Sequence, residues 1–179
     1  TVIDTLNNFM LKTKVQPYAD FESSKIAGQK MDEGIKLFSE MINANFEEVI
    51  IASSTTMNFY VLSNALSENI KANDEIIVTN QDHEANIGAW RRLEKKGAKI
   101  IEWKINNETA ELEINDLKKI LTPKTKIVAV THTSNIVGTN NDIKQIAKIV
   151  HENGSLIVAD GVSHAPHGLP DVKDLDVDF

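Results

Sequence analysis

Cysteine is absent from this sequence of 179 residues. That excludes a disulfide framework, a thiolate zinc site and a catalytic thiol within the segment, and it agrees with a reducing, cytoplasmic setting. Basic charge is in short supply too. Lys and Arg total 19 against 26 Asp and Glu, a formal net charge of -7. An acidic chain with no basic run is a poor partner for nucleic acid or for an anionic membrane surface. Long apolar runs are missing: pieces such as Val49–Ala52 and Ile127–Val130 fall far short of a membrane span. The first residues carry no basic region followed by an apolar stretch, so no signal peptide is read. What remains is an ordinary globular composition, 41% hydrophobic and 25% charged, enough for one domain with its own core.

Val2, Leu6, Phe9 and Met10 stand at helical spacing, and Gln16-Pro17-Tyr18-Ala19-Asp20 interrupts the pattern. Ile35, Leu37, Phe38, Met41 and Ile42 predict a second, longer helix ending near Asn43. This makes residues 1–45 a helical segment. From residue 46 onward the pattern changes to β-rich runs alternating with helices. The runs are Glu48–Ala52, Glu75–Thr79, Lys99–Trp103, Lys126–Thr131 and Ser155–Ala159. The helical stretches are Thr55–Glu68, Glu84–Lys96, Asn115–Leu121 and Asp142–Glu152. Near-continuous apolar strands alternating with helices predict an α/β fold, a mostly parallel sheet covered on both faces. Asp82 and Asn115 are expected to cap helices, and Gly97 and Gly154 to close them. Thr1 begins directly on a helical pattern and Leu175–Phe179 reads as the start of another strand, so both ends are expected to lie inside a longer protein.

In open parallel sheets, ligands bind beyond the carboxyl ends of the strands. The residues at those positions are polar. Ser53-Ser54-Thr55-Thr56 precedes a helix, and free N–H groups with hydroxyls suit a phosphate, although helix capping alone explains such a turn equally well. His83 falls in the first turn of a helix after Glu75–Thr79, where an imidazole can stack on a flat ring or simply face solvent. Asn135 brings a donor and an acceptor to the sheet rim, or serves only as a turn residue. Asp160 directly follows an apolar strand; a carboxylate at that depth needs a partner, either a cation on a ligand or backbone N–H groups. Their joint placement at one kind of strand end is a stronger signal than any of them singly.

Asp82-His83-Glu84-Ala85-Asn86, Thr131-His132-Thr133-Ser134-Asn135 with Gly138, Ala159-Asp160-Gly161, and Asp171-Val172 through Asp178-Phe179 follow one another in an order and spacing that resembles the class V aminotransferases. These are fold-type I pyridoxal-phosphate enzymes, and the likeness is greatest to their cysteine-desulfurase-like group. The resemblance implies that Thr55 and Thr56 bind the phosphate of pyridoxal 5'-phosphate and that His83 stacks on its ring. It further implies that Asn135 and Ser163 reach the phenolic oxygen and that Asp160 pairs with the pyridine nitrogen. Ser163 stands where such desulfurases commonly have glutamine and Ser54 where glycine is usual, departures that bear on desulfurase chemistry more than on cofactor binding. The resemblance places the Schiff-base lysine beyond Phe179, so no residue of this chain is read as the catalytic amine. It implies an amino-acid substrate, a homodimer, and a reaction that is a desulfuration, transamination, elimination or epimerisation, or else a relative that kept the scaffold without catalysis.

Two rivals are weaker. A nicotinamide or flavin enzyme needs a glycine-rich turn after its first strand, and Ser53–Thr56 holds no glycine. A metal hydrolase would use Asp160, His164 and His167, whose spacing is plausible but whose segment contains Pro166 and Gly168.

Overall fold

The computed structural model describes residues 1–179. The chain divides into two compact units, Thr1–Ile51 and Ala52–Phe179.

The first unit holds α1 (Val2–Lys12) and α2 (Glu22–Met41), followed by a 3-10 turn at Phe46–Glu48. α1 starts with a capping box: the Thr1 hydroxyl accepts from the Asp4 N–H, and the Asp4 carboxylate accepts from the Thr1 amino group at 2.9 Å. Ser24 organises the break between the helices, accepting from the Ala19 N–H at 2.7 Å while donating to the Gln16 carbonyl. Tyr18 has a φ of 65°, and its ring lies across Gly28 so closely that a Cβ there would meet Cδ1 at 2.7 Å. Glycine is required at residue 28 by that approach.

The second unit is a four-stranded parallel sheet with the order β2-β1-β3-β4, where β1 is Glu75–Thr79, β2 Lys99–Trp103, β3 Thr125–Thr131 and β4 Leu156–Asp160. Helices connect them: α3 (Thr55–Leu66) precedes β1, and α4 (Glu84–Arg91), α5 (Ile114–Ile120) and α6 (Ile143–Glu152) separate the strands. Alternate strand residues face opposite ways, and both faces are buried. Ile76, Val78, Ile127 and Ala129 pack with Phe59 of α3 and with Ile87 and Trp90 of α4. Ile77, Val128, Val130 and Ile157 pack with Leu117 of α5 and with Ile146 and Val150 of α6. The expected α/β fold with a parallel sheet is present.

Four local expectations are corrected. Glu48–Ala52 is no strand; the 3-10 turn covers Phe46–Glu48, and Ile50 and Ile51 are 82% and 59% exposed. β-Prone residues make a strand only where a neighbour supplies hydrogen bonds, and this segment pairs with none. Leu175–Phe179 is likewise not yet a strand. A short helix α7 (Val172–Leu175) ends in Asp176 at φ 57°; the Asp178 carboxylate accepts from the Ile157 N–H at 2.8 Å, and Phe179 bonds β4 through its backbone. There its N–H donates to Ile157 at 3.2 Å and its carbonyl accepts from Ala159 at 2.9 Å. α4 is capped by the His83 ring rather than by Asp82, whose oxygens are engaged elsewhere. α5 begins after Glu113 with no side-chain cap, two residues earlier than Asn115 would set it. Gly97 and Gly154 do sit at positive φ just where their helices stop.

The strand order reverses between β1 and β3: β2 lies on one side of β1, and the chain then crosses to β3 and β4 on the other. The crevice at the carboxyl ends of β1 and β3 is where such a sheet opens for a ligand.

Candidate active site

A cavity of about 390 Å³ lies at that crevice. Thr55, Thr56, His83, Asn135, Asp160 and Ser163 all line it, so every site residue expected from the sequence is brought to one place.

Each reaches the cavity for a local reason. Ser54 caps α3, its hydroxyl accepting from the Met57 N–H at 3.2 Å. The Asn58 N–H is already bonded to the Ser54 carbonyl. The Thr55 and Thr56 N–H groups therefore stand in the first turn with no partner along the helix, beside their own hydroxyls and at the positive end of the helix dipole. His83 caps α4 by accepting from the Ala85 N–H through Nδ1 at 3.1 Å. A ring that accepts at Nδ1 carries its proton on Nε2 when neutral, so this bond sets both tautomer and ring orientation.

Asp160 ends β4 and is only 5% exposed. Its Oδ1 accepts from the Val162 N–H at 2.9 Å. Burial pushes its carboxyl above the usual range, while the Val162 N–H and nearby His83 act against that push. Asn135 sits in a tight loop after β3. Ser134 shapes that loop by accepting from Ile136 and Val137 N–H groups, at 3.3 and 3.4 Å, and donating to the Gln81 carbonyl at 3.0 Å. Gly138, at φ 72°, returns its N–H to the Ser134 carbonyl.

Several contributors were not singled out from the sequence. Asn141 donates to both the Gln81 side chain and the Thr131 carbonyl at 2.8 Å, and Gln81 donates onward to the Ala110 carbonyl at 2.6 Å. These bonds brace the loops after β1 and β3 against each other. Below His83, Asp82 accepts from the Asn86 amide at 2.7 Å, and Asn86 accepts from the Trp90 indole at 2.9 Å. All three are buried. Asp82 is pushed up to about 7, first by burial and then by the charge of Asp160. The Asp82, Asn86, Trp90 spacing of four was a signal in the sequence, since it stacks Asn86 and Trp90 on one face of α4 with Asp82 just ahead of its first turn.

His132 and His164 stack with ring centroids 3.5 Å apart and planes inclined by 12°. Burial and the neighbouring His164 lower His132 to about 4, so His132 is neutral at physiological pH. The metal-hydrolase grouping does not form: Asp160 lines the first cavity, His164 and His167 a neighbouring one, and no cluster of three His, Cys, Asp or Glu is placed to hold an ion. No helix is long and apolar enough to cross a membrane.

The chain matches the family model described as aminotransferase class-V over residues 1–179. It is 39% identical to the aminotransferase-like protein FGM3 of Gibberella zeae over 182 residues, which cover 99% of this chain and 44% of that protein. It is 42% identical to a probable cysteine desulfurase of Staphylococcus epidermidis over 140 residues, 77% of this chain and 34% of that one. Among solved structures, the apo cysteine desulfurase of Thermococcus onnurineus superposes with a TM-score of 0.91 at 27% identity, across 99% of this chain and 44% of the other. The chain thus spans less than half the length of each of these relatives.

Proposed function

Because the chain belongs to the class-V aminotransferase family, in its cysteine-desulfurase-like group, we propose that residues 46–179 form most of a pyridoxal 5'-phosphate site in an enzyme acting on an amino acid. Residues 1–45 are a helical segment preceding that cofactor domain. The observation that carries the reading is the convergence of Asp160, His83 and the α3 N-terminus on one cavity at the point where the strand order reverses.

The donor set fits the cofactor. The Thr55 and Thr56 N–H groups and hydroxyls suit a phosphate, which the positive end of α3 attracts. The His83 ring, held by its own cap bond, offers a flat face for stacking. Asp160 is matched to a protonated ring nitrogen: a cation beside it would reverse the upward push of burial and keep its carboxylate ionised. The low local dielectric strengthens such a pair. Asn135 and Ser163 bring an amide and a hydroxyl to the same space, suited to the phenolic oxygen. When bound, the cofactor supplies an electron sink for carbanion chemistry at the amino-acid substrate.

Around it, this chain's residues bind, orient and hold one proton in place. Asp160 retains the proton on the ring nitrogen; Thr55, Thr56 and His83 fix the ring's position. No lysine lines the cavity, and the only lysine of α7, Lys173, lies exposed on the surface. The amine that anchors the cofactor is supplied from outside residues 1–179. A homodimer, as the family resemblance implies, and the cytoplasmic setting that agrees with the lack of cysteine complete this reading. Uptake of pyridoxal phosphate by the full-length protein, followed by visible absorbance and by borohydride trapping, tests it. Asp160→Asn should keep the fold and lose most turnover, with a shifted absorbance band. A full-length protein that takes up no cofactor, or an Asp160→Asn variant with undiminished turnover, would refute the assignment.

A further inference from the structure

A second cavity of about 740 Å³ adjoins the first and shares Asn135, Val162 and Ser163 with it. A molecule held in the first cavity therefore has this space beside it. The shared wall continues into Thr133 and Asn140 on the loop after β3, and into His164 and His167 on the loop after β4.

The lining selects by chemistry. No Asp, Glu, Lys or Arg is part of it, although the chain carries 26 acidic residues. Without a carboxylate it does not suit an amine or guanidinium. Val162 and Pro166 are its apolar residues of any size, so an aliphatic or aromatic group would leave many polar atoms uncovered. Amide, hydroxyl and imidazole donors dominate.

Those donors are arranged. The Thr133 hydroxyl donates its one proton to the Asn140 side-chain oxygen. The same hydroxyl lies 3.1 Å from His164 Nδ1 and, its proton spent, can only accept there. His164 thus carries a proton on Nδ1, and its Nε2 is the position left for a ligand. The Asn140 oxygen being occupied, its Nδ2 group is left to donate. The His132 ring, stacked at 3.5 Å, holds the plane of His164. A carboxylate at Nε2 is met by the imidazolium form of His164, which donates from both ring nitrogens, and the neutral His132 ring beside it adds no like charge.

We propose that this second cavity is the side-chain subsite for an amino acid bearing a second carboxylate, gripped by His164, His167 and the Asn140 amide. This rests on the amino-acid reading of the first cavity and narrows it to a dicarboxylic substrate class. Asn135 and Ser163 mark the boundary between the two spaces, so one molecule spans both.

The test uses the full-length, cofactor-loaded protein titrated with L-aspartate, L-asparagine, L-alanine and L-leucine, followed by calorimetry and cofactor absorbance. L-Aspartate should bind about tenfold or more tighter than L-asparagine or L-leucine, the size of one charge-assisted hydrogen bond. His164→Ala and Asn140→Ala should each remove most of that preference and leave L-alanine binding unchanged. L-Leucine or L-asparagine binding as tightly as L-aspartate would overturn the proposal, as would variants that weaken L-alanine and L-aspartate equally. Succinate titrated into cofactor-free protein probes the second cavity alone. Binding that His164→Ala weakens about tenfold supports the subsite; no binding, or binding the variant leaves intact, counts against it. Absence of any cofactor response to all four amino acids, with succinate still bound, would instead refute the reading of the first cavity.

Discussion

Asp82 and Asn86 are joined by a 2.7 Å hydrogen bond across one turn at the start of α4, and both are buried, Asp82 at 6% exposure. The bond ties the base of the ring-bearing loop to the core through Trp90. It also leaves a carboxylate in a dry place beside Asp160, which is why Asp82 rises to about 7.

The sign of the resulting pH dependence follows from linkage. The folded state holds the Asp82 proton up to about pH 7, whereas an unfolded aspartate releases it near 3.8. Across that window the folded state binds more protons, so stability falls as pH rises from 4 towards 7. Asp82→Asn removes this titration but puts a donor where one acceptor oxygen was, at a cost of about 1 kcal/mol. Urea unfolding of the cofactor-free full-length protein should show the variant gaining on wild type between pH 5 and pH 8. A constant difference between the two proteins across that range would contradict the buried-carboxylate account.

His132 titrates in the opposite sense. Its folded value of about 4 lies below the ordinary 6.5 because of burial and His164. The unfolded chain therefore binds more protons between those values, and the stability His132 contributes is lost as pH falls through them. His132→Phe keeps a flat ring against His164 and removes the titrating nitrogen. Thermal melting of the variant between pH 7 and pH 4 is expected to decline less steeply than that of wild type; parallel declines would show that His132 is not the responsible group.

Gly28→Ala would place a Cβ 2.7 Å from the Tyr18 ring, which is anchored at its other end by a 2.8 Å bond from its hydroxyl to Asp32. The overlap should cost about 1–3 kcal/mol. Denaturant unfolding measures it, and Tyr18→Ala in the same chain should recover part of the loss. Equal destabilisation with and without the Tyr18 ring would mean that this contact does not set the cost, since helix propensity by itself favours alanine over glycine within α2.

The candidate site was more legible than the interactions that build it. His83, Asn135, Asp160 and Ser163 were picked out because each follows a recognisable apolar strand, and Thr55 and Thr56 because they open a helix after an apolar run that is itself no strand. Gln81, Ser134 and Asn141 were not, because a polar residue in a loop looks the same whether it faces solvent or bridges two loops. Glu48–Ala52 misled for a related reason: its composition is that of a strand, but pairing depends on a neighbour that composition does not describe.

By itself, the sequence determined the four paired strands, the helices between them and the kind of polar residue at each strand end. These are set by local periodicity and by residues close along the chain. Only the tertiary structure decided that β1 lies between β2 and β3, which joins loop residues 53 and 60 positions apart around one crevice. It alone decided which carboxylate is dry enough to hold a proton near neutrality, and that His132 lies flat on His164. Burial and electrostatic neighbourhood arise from contacts between segments distant in sequence, so no local pattern encodes them.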